Sequence, residues 1–194
     1  MLWLPLPVNP KDLSSIRSPV SLWCMNHLFR FFYLLLSFLW RPRLQMLDEC
    51  QTHFRTWFTD LDLLMHMNNG KYLSLMDLGR VDLMLRCGAF FKAREQGIYP
   101  VLASATIRYR RSLQLFQPFV MKTKILCWDD KYFFIQQKFE VRGELYAQAM
   151  VRARFLKNSG GKVSPQEILD LIQIKDKSPA IPESVRLWVE SERA

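Results

Sequence analysis

The 194-residue chain predicts an α+β fold, a curved antiparallel sheet of about five strands wrapped round one central helix. Three observations carry this. Residues 50–58 alternate apolar and polar side chains. Residues 71–86 confine their polar side chains to one row of an otherwise apolar helix. From Tyr99 the hydrophobic period switches to two and holds through four long segments. A helix with so narrow a polar row is covered on most sides, and a sheet curled round it supplies that cover. A hydrophobic helix before this unit and a helix after it complete the expected architecture.

Taken in order, residues 1–19 read as a loose leader, with Pro5, Pro7, Pro10 and Pro19 among Ser14, Ser15 and Ser18. Met25 is an alternative start. Residues 31–40, FFYLLLSFLW, are apolar, with Arg30 before them and Arg41-Pro42-Arg43 after. That run is about half the roughly 20 residues that a membrane span needs. No small-x-small cleavage site follows it, as a signal peptide would require. Three readings stay open: an interfacial helix held by aromatic rings and cationic flanks, a short anchor, or a helix packed on the domain or its dimer mate. The chain thus divides into residues 1–49, a leader and hydrophobic, membrane-associating helix; 50–157, the main domain; and 158–194, a helical extension.

Within the main domain, Phe54, Thr56 and Phe58 alternate with His53 and Arg55, the pattern of a strand with one buried face. The helix over 71–86 shows its polar row at Lys71, Ser74, Asp77 and Arg80. Gly79 costs about 1 kcal/mol against alanine in a helix, a cost accepted where the helix lies close to a sheet. Gly88 ends or kinks it, and 89–96 form a short further helix. Strand faces then follow: Val101 to Tyr109, Phe119 to Cys127, Phe133 to Val141, and Leu145 to Phe155. Trp128-Asp129-Asp130-Lys131 and Arg142-Gly143-Glu144 are the turns between neighbours. Ser164-Pro165-Gln166-Glu167 opens a helix with a capping box and proline at its first position. A last short helix covers 183–192. The sheet edge left open by this order is expected to pair with a second copy, giving a homodimer or a dimer of dimers.

Charge and cysteine content narrow the function. The formal charge is +9, but it is diffuse, and residues 100–156 contain no basic run longer than Arg110-Arg111. No nucleic-acid motif appears, so the basic balance points to an anionic small molecule or an acidic membrane surface rather than nucleic acid. Cys24, Cys50, Cys87 and Cys127 show neither CxxC nor matching histidine spacing, so no metal site or disulfide framework is expected. Reduced thiols suit a cytoplasmic setting, with membrane contact through residues 24–43.

The chemistry concentrates in Asp60-Leu61-Asp62-Leu63-Leu64-Met65-His66-Met67-Asn68-Asn69-Gly70-Lys71-Tyr72-Leu73. Two carboxylates, a histidine and two carboxamides precede a buried helix. The first amides of a helix lack internal partners and sit at its positive end. A carbonyl oxygen gaining negative charge is stabilised there, and a carboxylate opposite can attack the carbonyl or activate water. The same residues have plainer uses: Asn68 or Asn69 as the helix N-cap, His66 as a satisfied histidine beneath the helix, Asp60 finishing a turn.

D-L-D-x-x-x-H-M-N-N-x-x-Y-L followed by a helix resembles the signature of 4-hydroxybenzoyl-CoA thioesterase-like hotdog proteins. The resemblance covers about residues 48–156, including the strand Ala105-Thr106-Ile107-Arg108-Tyr109-Arg110-Arg111-Ser112-Leu113, and LDLLMHMNN is closest to the thioesterase superfamily member six branch and its bacterial relatives. It implies the hotdog fold and an acyl-CoA thioesterase. The implied catalytic group is Asp62 as nucleophile or general base, a main-chain oxyanion donor at Asn69 or Gly70, and His66. The implied substrate contacts are Asn68, Gly70 and Tyr72, with Arg108, Arg110, Arg111 or Lys122 meeting the phosphates of coenzyme A. Strand alternation would put Arg108 and Arg110 on one face and Arg111 on the other. No cofactor is implied beyond the coenzyme A of the substrate. Many family members have glycine where this chain has Met65. That departure motivates an alternative, a non-catalytic acyl- or lipid-binding hotdog protein at a membrane. A hotdog dehydratase pairing His66 with Asp77 is a third reading that fits the Asp62 context less well.

Overall fold

The computed structural model describes residues 22–192, with side chains from Asn26 onward. The leader reading for residues 1–19 lies outside the described residues.

Helix α1 (Leu22–Ser37) precedes strand β1 (Cys50–Arg55). A 3-10 turn at Phe58–Asp60 and a tight loop lead into the long helix α2 (Asn69–Arg86), followed by α3 (Ala89–Glu95). Then come β2 (Ile98–Tyr109), β3 (Pro118–Trp128), β4 (Phe133–Val141), β5 (Glu144–Lys157) and the two-residue β6 (Lys162–Val163). Helices α4 (Pro165–Leu171) and α5 (Glu183–Ser191) end the chain. Every strand pairing is antiparallel, in the order β1-β3-β4-β5-β2, with β6 against β5. The five-strand sheet wrapped round α2 is the expected α+β architecture.

The core lies between α2 and the concave face of the sheet. Leu75, Met76 and Leu83 of α2 meet Phe119, Met121, Phe139 and Val151 there, all essentially inaccessible. Gly79 lies tight against the sheet. A Cβ at that position would sit 2.3 Å from the Met121 methyl and 2.9 Å from the Thr123 hydroxyl oxygen. The helix pays for glycine because the sheet leaves no room for a side chain. Gln137, fully buried beneath it, donates to the Met76 carbonyl (2.9 Å) and to Thr123 Oγ1 (3.0 Å). The alternation in the strands thus carries one satisfied polar position into the core.

The turns follow their residue chemistry. Arg142 and Gly143 both have positive φ, 52° and 85°, as a two-residue hairpin with right-handed twist requires. Asp129 Oδ1 accepts from the Lys131 and Tyr132 amides (2.8 and 2.7 Å), an Asx turn between β3 and β4. Ser164 and Glu167 form the expected capping box. On the other side of the sheet, Val185, Trp188 and Val189 of α5 cover Cys127, Phe134 and Met150. That is why Phe134, on the face opposite Phe133, is also buried.

Three sequence expectations change. The strand expected over 50–58 ends at Arg55, because Trp57 and Asp60 close the 3-10 turn (Trp57 N–H to Asp60 Oδ2, 2.9 Å). The helix starts at Asn69 rather than 71. Its polar row is not a solvent face: Asp77 is exposed, but Lys71 is buried and Arg80 largely so, while Asp82, outside that row, is fully buried.

The N-terminal segment is built into the domain. Leu34 is in the core cluster, and Arg30 holds the fully buried Asp60 through two bonds (3.0 and 2.6 Å). Arg41 likewise grips the fully buried Asp82 (2.7 and 2.6 Å), which also accepts from Thr52 Oγ1 (2.6 Å). Arg43 lies over the Phe38 ring, 4.6 Å from its centroid. Of the three readings of this segment, packing on the domain describes its inner face, and Arg30 and Arg41 serve as internal ties rather than a cationic fringe. Phe29, Phe32, Tyr33, Leu36, Leu39 and Trp40 remain exposed. Among the described residues no helix is long and apolar enough to cross a membrane.

Candidate active site

The acidic loop is a small closed structure. Leu61 and Met67 face each other in an antiparallel bridge, and His66 bridges to Gln114. The Asp62 amide donates to the His66 carbonyl (2.8 Å), and the Met65 amide to the Asp62 carbonyl (3.1 Å). Asp62 Oδ1 then accepts from the Leu64 amide (2.9 Å) and, at 3.3 Å, from that of His66. The carboxylate predicted as catalytic therefore also fixes the loop that carries it. Met67 N–H to Leu113 O (3.0 Å) and Asn68 N–H to Asp60 O (2.8 Å) anchor both flanks. At the tip, Leu63, Leu64 and Met65 are exposed, and Met65 has φ of +61°. The position where the resemblance leads one to expect glycine is the position where the backbone turns left-handed.

Asn68 is the N-cap of α2, its Oδ1 accepting from the Gly70 amide at 2.9 Å. This settles which asparagine caps the helix. It also commits the Gly70 amide, one of the two predicted oxyanion donors. The Asn69 amide, at the first helical position, has no intrahelical acceptor by virtue of that position.

Tyr109 joins the far end of β2 to this helix start, a role that sequence reasoning missed. Its hydroxyl donates to the Asn69 carbonyl (3.3 Å), and its ring meets Tyr72 edge-on at 5.0 Å. Tyr72 is 2% exposed and packs edge-on against Phe139 at 4.9 Å. It supports the helix start from the core, and burial pushes its hydroxyl up to about 12. An aromatic residue in the strand register beside two arginines was the signal available for Tyr109.

Beyond Tyr109 the strand ends and its alternation lapses. Arg108, Arg110 and Arg111 all line one open groove of about 570 Å³ with Tyr109, Glu144 and Leu145, so the expected separation of Arg111 from the other two does not occur. Arg111 is engaged by Glu144 (2.5 Å). Lys122 lies elsewhere, paired to Glu140 at 2.7 Å. Asp77, the partner that a dehydratase reading would give to His66, pairs with Arg80 on the α2 surface.

A family model described as the thioesterase-like superfamily matches residues 56–189. The chain belongs to this superfamily. Among curated relatives, Protein THEM6 of Danio rerio is 36% identical over 149 residues, 76% of this chain and 72% of the relative. Protein THEM6 of Xenopus laevis is 39% identical over 132 residues, 67% of this chain, and the chain spans 62% of that relative's length. Solved thioesterase structures share the fold. The DHNA-CoA thioesterase of Staphylococcus aureus superposes with a TM-score of 0.57 at 14% identity, covering 75% of this chain and 91% of that one. A mutant 4-hydroxybenzoyl CoA thioesterase complexed with 4-hydroxybenzoyl CoA gives 0.57 at 18% identity, covering 64% and 98%. The resemblance read from the Asp62 loop and the hotdog fold it implied are both borne out.

Proposed function

We propose that the chain hydrolyses an acyl-CoA thioester, with Asp62 as nucleophile or general base and the start of α2 as oxyanion site. The observation that carries this is the loop geometry: Asp62 sits in a closed turn that runs directly into the Asn68-capped end of a buried helix. As general base, Asp62 takes a proton from the water that adds to the thioester carbonyl. As nucleophile, its carboxylate adds directly, and water hydrolyses the resulting anhydride. Either way the C–S bond breaks, the acyl group leaves as an acid and coenzyme A as the thiol. Negative charge on the carbonyl oxygen is met by the Asn69 amide and the positive end of the helix. The groove at Arg108 and Arg110 suits the phosphates of coenzyme A, and the edge of β2, unpaired among the described residues, suits pairing with a second copy.

The test is release of free thiol from a panel of acyl-CoA esters, with Asp62→Asn beside the parent protein. Asparagine keeps the Oδ1 acceptor that closes the loop and removes the base. Loss of at least about a hundredfold in rate is expected; equal rates in the two proteins would remove Asp62 from the mechanism.

One observation favours a second reading, acyl or lipid binding at a membrane surface without turnover. The outward face of α1 exposes Phe29, Phe32, Tyr33 and Leu36 in helical spacing, with Trp40 exposed in the turn just beyond its end, the form of an interfacial helix. Co-sedimentation with vesicles of anionic lipid, lost on replacing Phe32 and Trp40 by serine and accompanied by no hydrolysis across the panel, would select it.

A further inference from the structure

The first residue of α2 has few ties of its own. Helix ends fray, and the amide of a first helical residue has no intrahelical acceptor to steady it. The loop side is fixed at the neighbouring residues. The Asn68 amide donates to the Asp60 carbonyl at 2.8 Å, and Asn68 Oδ1 accepts from the Gly70 amide at 2.9 Å. Asn69 lies between them and is exposed. Among the described residues, the sheet reaches its main chain through the Tyr109 hydroxyl, which donates to the Asn69 carbonyl at 3.3 Å. In an α-helix that carbonyl also accepts from the amide four residues on, that of Leu73. The phenol is thus a second donor to the first carbonyl of the helix, delivered from another element.

Tyr109 is itself well anchored. It is the last residue of β2 and stands opposite Ala147 of β5. The following amide, that of Arg110, donates to the Tyr146 carbonyl at 2.8 Å. Its ring meets Tyr72 edge-on at 5.0 Å, and Tyr72 in turn packs on Phe139 in the core. The same residue lines the groove with Arg108 and Arg110. One side chain therefore touches both the helix start and the arginine groove. At 3.3 Å its bond is longer than the roughly 2.7–2.8 Å common for hydroxyl donors, and bonds of this kind at active sites often tighten once substrate is bound.

We propose that Tyr109 is a positioning residue for the oxyanion site, its hydroxyl pinning the Asn69 main chain so that the Asn69 amide keeps its aim at the thioester oxygen. This rests on the reading of Asn69 as the oxyanion donor. The hydroxyl acts through Asn69 and touches no reacting atom. Loss of one neutral hydrogen bond corresponds to about two- to tenfold, and a displacement of about 1 Å at a reacting centre to about a hundredfold in rate. The effect of removing the pin lies between these bounds.

Tyr109→Phe removes the hydroxyl and keeps the ring against Tyr72. Two measurements on the full-length protein test the assignment. In thiol release from the acyl-CoA that the parent hydrolyses fastest, kcat should fall about five- to fiftyfold while KM stays within about twofold, because the arginine groove is intact. In amide hydrogen exchange followed by NMR, Leu73 should exchange about two- to tenfold faster, with Ile135 of the central strand β4 unchanged, which marks the loosening as local. Should the parent release no thiol, the hydrolase reading fails by itself, and exchange at Leu73 still decides whether Tyr109 holds the helix start. Unchanged kcat, a raised KM at unchanged kcat, or exchange at Leu73 no faster than in the parent would each overturn the assignment.

Discussion

Replacing Arg30 with leucine should cost this protein a large part of its stability. Asp60 has no solvent access. It accepts from both terminal nitrogens of Arg30, at 3.0 and 2.6 Å, from the Trp57 amide at 2.9 Å, and from Asn26 at 3.4 Å. Without the guanidinium, a buried carboxylate keeps one good neutral donor and one poor one. Breaking a buried ion pair by removing one partner costs about 3–5 kcal/mol. For a chain of this length that is a fall of roughly 6–20 °C in melting temperature, at about 2–4 °C per kcal/mol. Scanning calorimetry on Arg30→Leu measures the fall. Arg30→Leu combined with Asp60→Asn should recover part of it, because the stranded charge is gone, and the resulting double-mutant cycle isolates the pair. A loss under about 1 kcal/mol in the single variant would refute the reasoning and make α1 a passenger.

Other expectations follow from the same structure. Met65→Gly should stabilise the native state by about 0.5–1 kcal/mol, the left-handed penalty relieved less the added chain entropy of glycine; a lower melting temperature would mean that the methionine side chain contributes packing that outweighs its strain. Gly79→Ala should destabilise by about 1–3 kcal/mol, since the new methyl meets Met121, Thr123 and Gln137, readable by denaturant titration. Burial pushes Cys50 to about 12 and Cys127 to about 11. Both thiols hold their protons more firmly folded than unfolded, so their contribution is intact below about pH 8.5 and is lost as pH rises through the folded values. Melting temperature should therefore fall progressively above about pH 9, and peptide mapping after alkylation at pH 8 should find Cys50 protected until the protein unfolds.

The sheet and the central helix were legible because their signals are periodic and local. Four segments of period two, the Arg142-Gly143 turn and the Ser164–Glu167 capping box each specify a structure within a dozen residues. The acidic loop was legible through its residue types, down to an asparagine cap and an odd residue at 65. What escaped was whatever depends on partners far along the chain. Asp60 reads as a turn residue until Arg30, thirty positions earlier, arrives beside it. Lys71 and Arg80 look solvated when the helix is drawn alone. Arg111 looks separated from Arg108 only while the strand is assumed to continue past Tyr109. Tyr109 itself gave no sign that its hydroxyl would reach the Asn69 carbonyl.

The two guanidinium clasps of the N-terminal segment have a further consequence. Arg30 lies within α1 and Arg41 shortly after it, and each neutralises a carboxylate that has no water around it. Any rearrangement that drew this helix lengthwise into a bilayer would strand Asp60, the residue two positions before the acidic side chain of the loop, and would loosen the footing of that loop. Contact with lipid is therefore compatible with an intact loop only if the helix lies flat, outer rings down, with its arginines still turned toward the protein. Attachment and loop geometry are in that sense one mechanical unit.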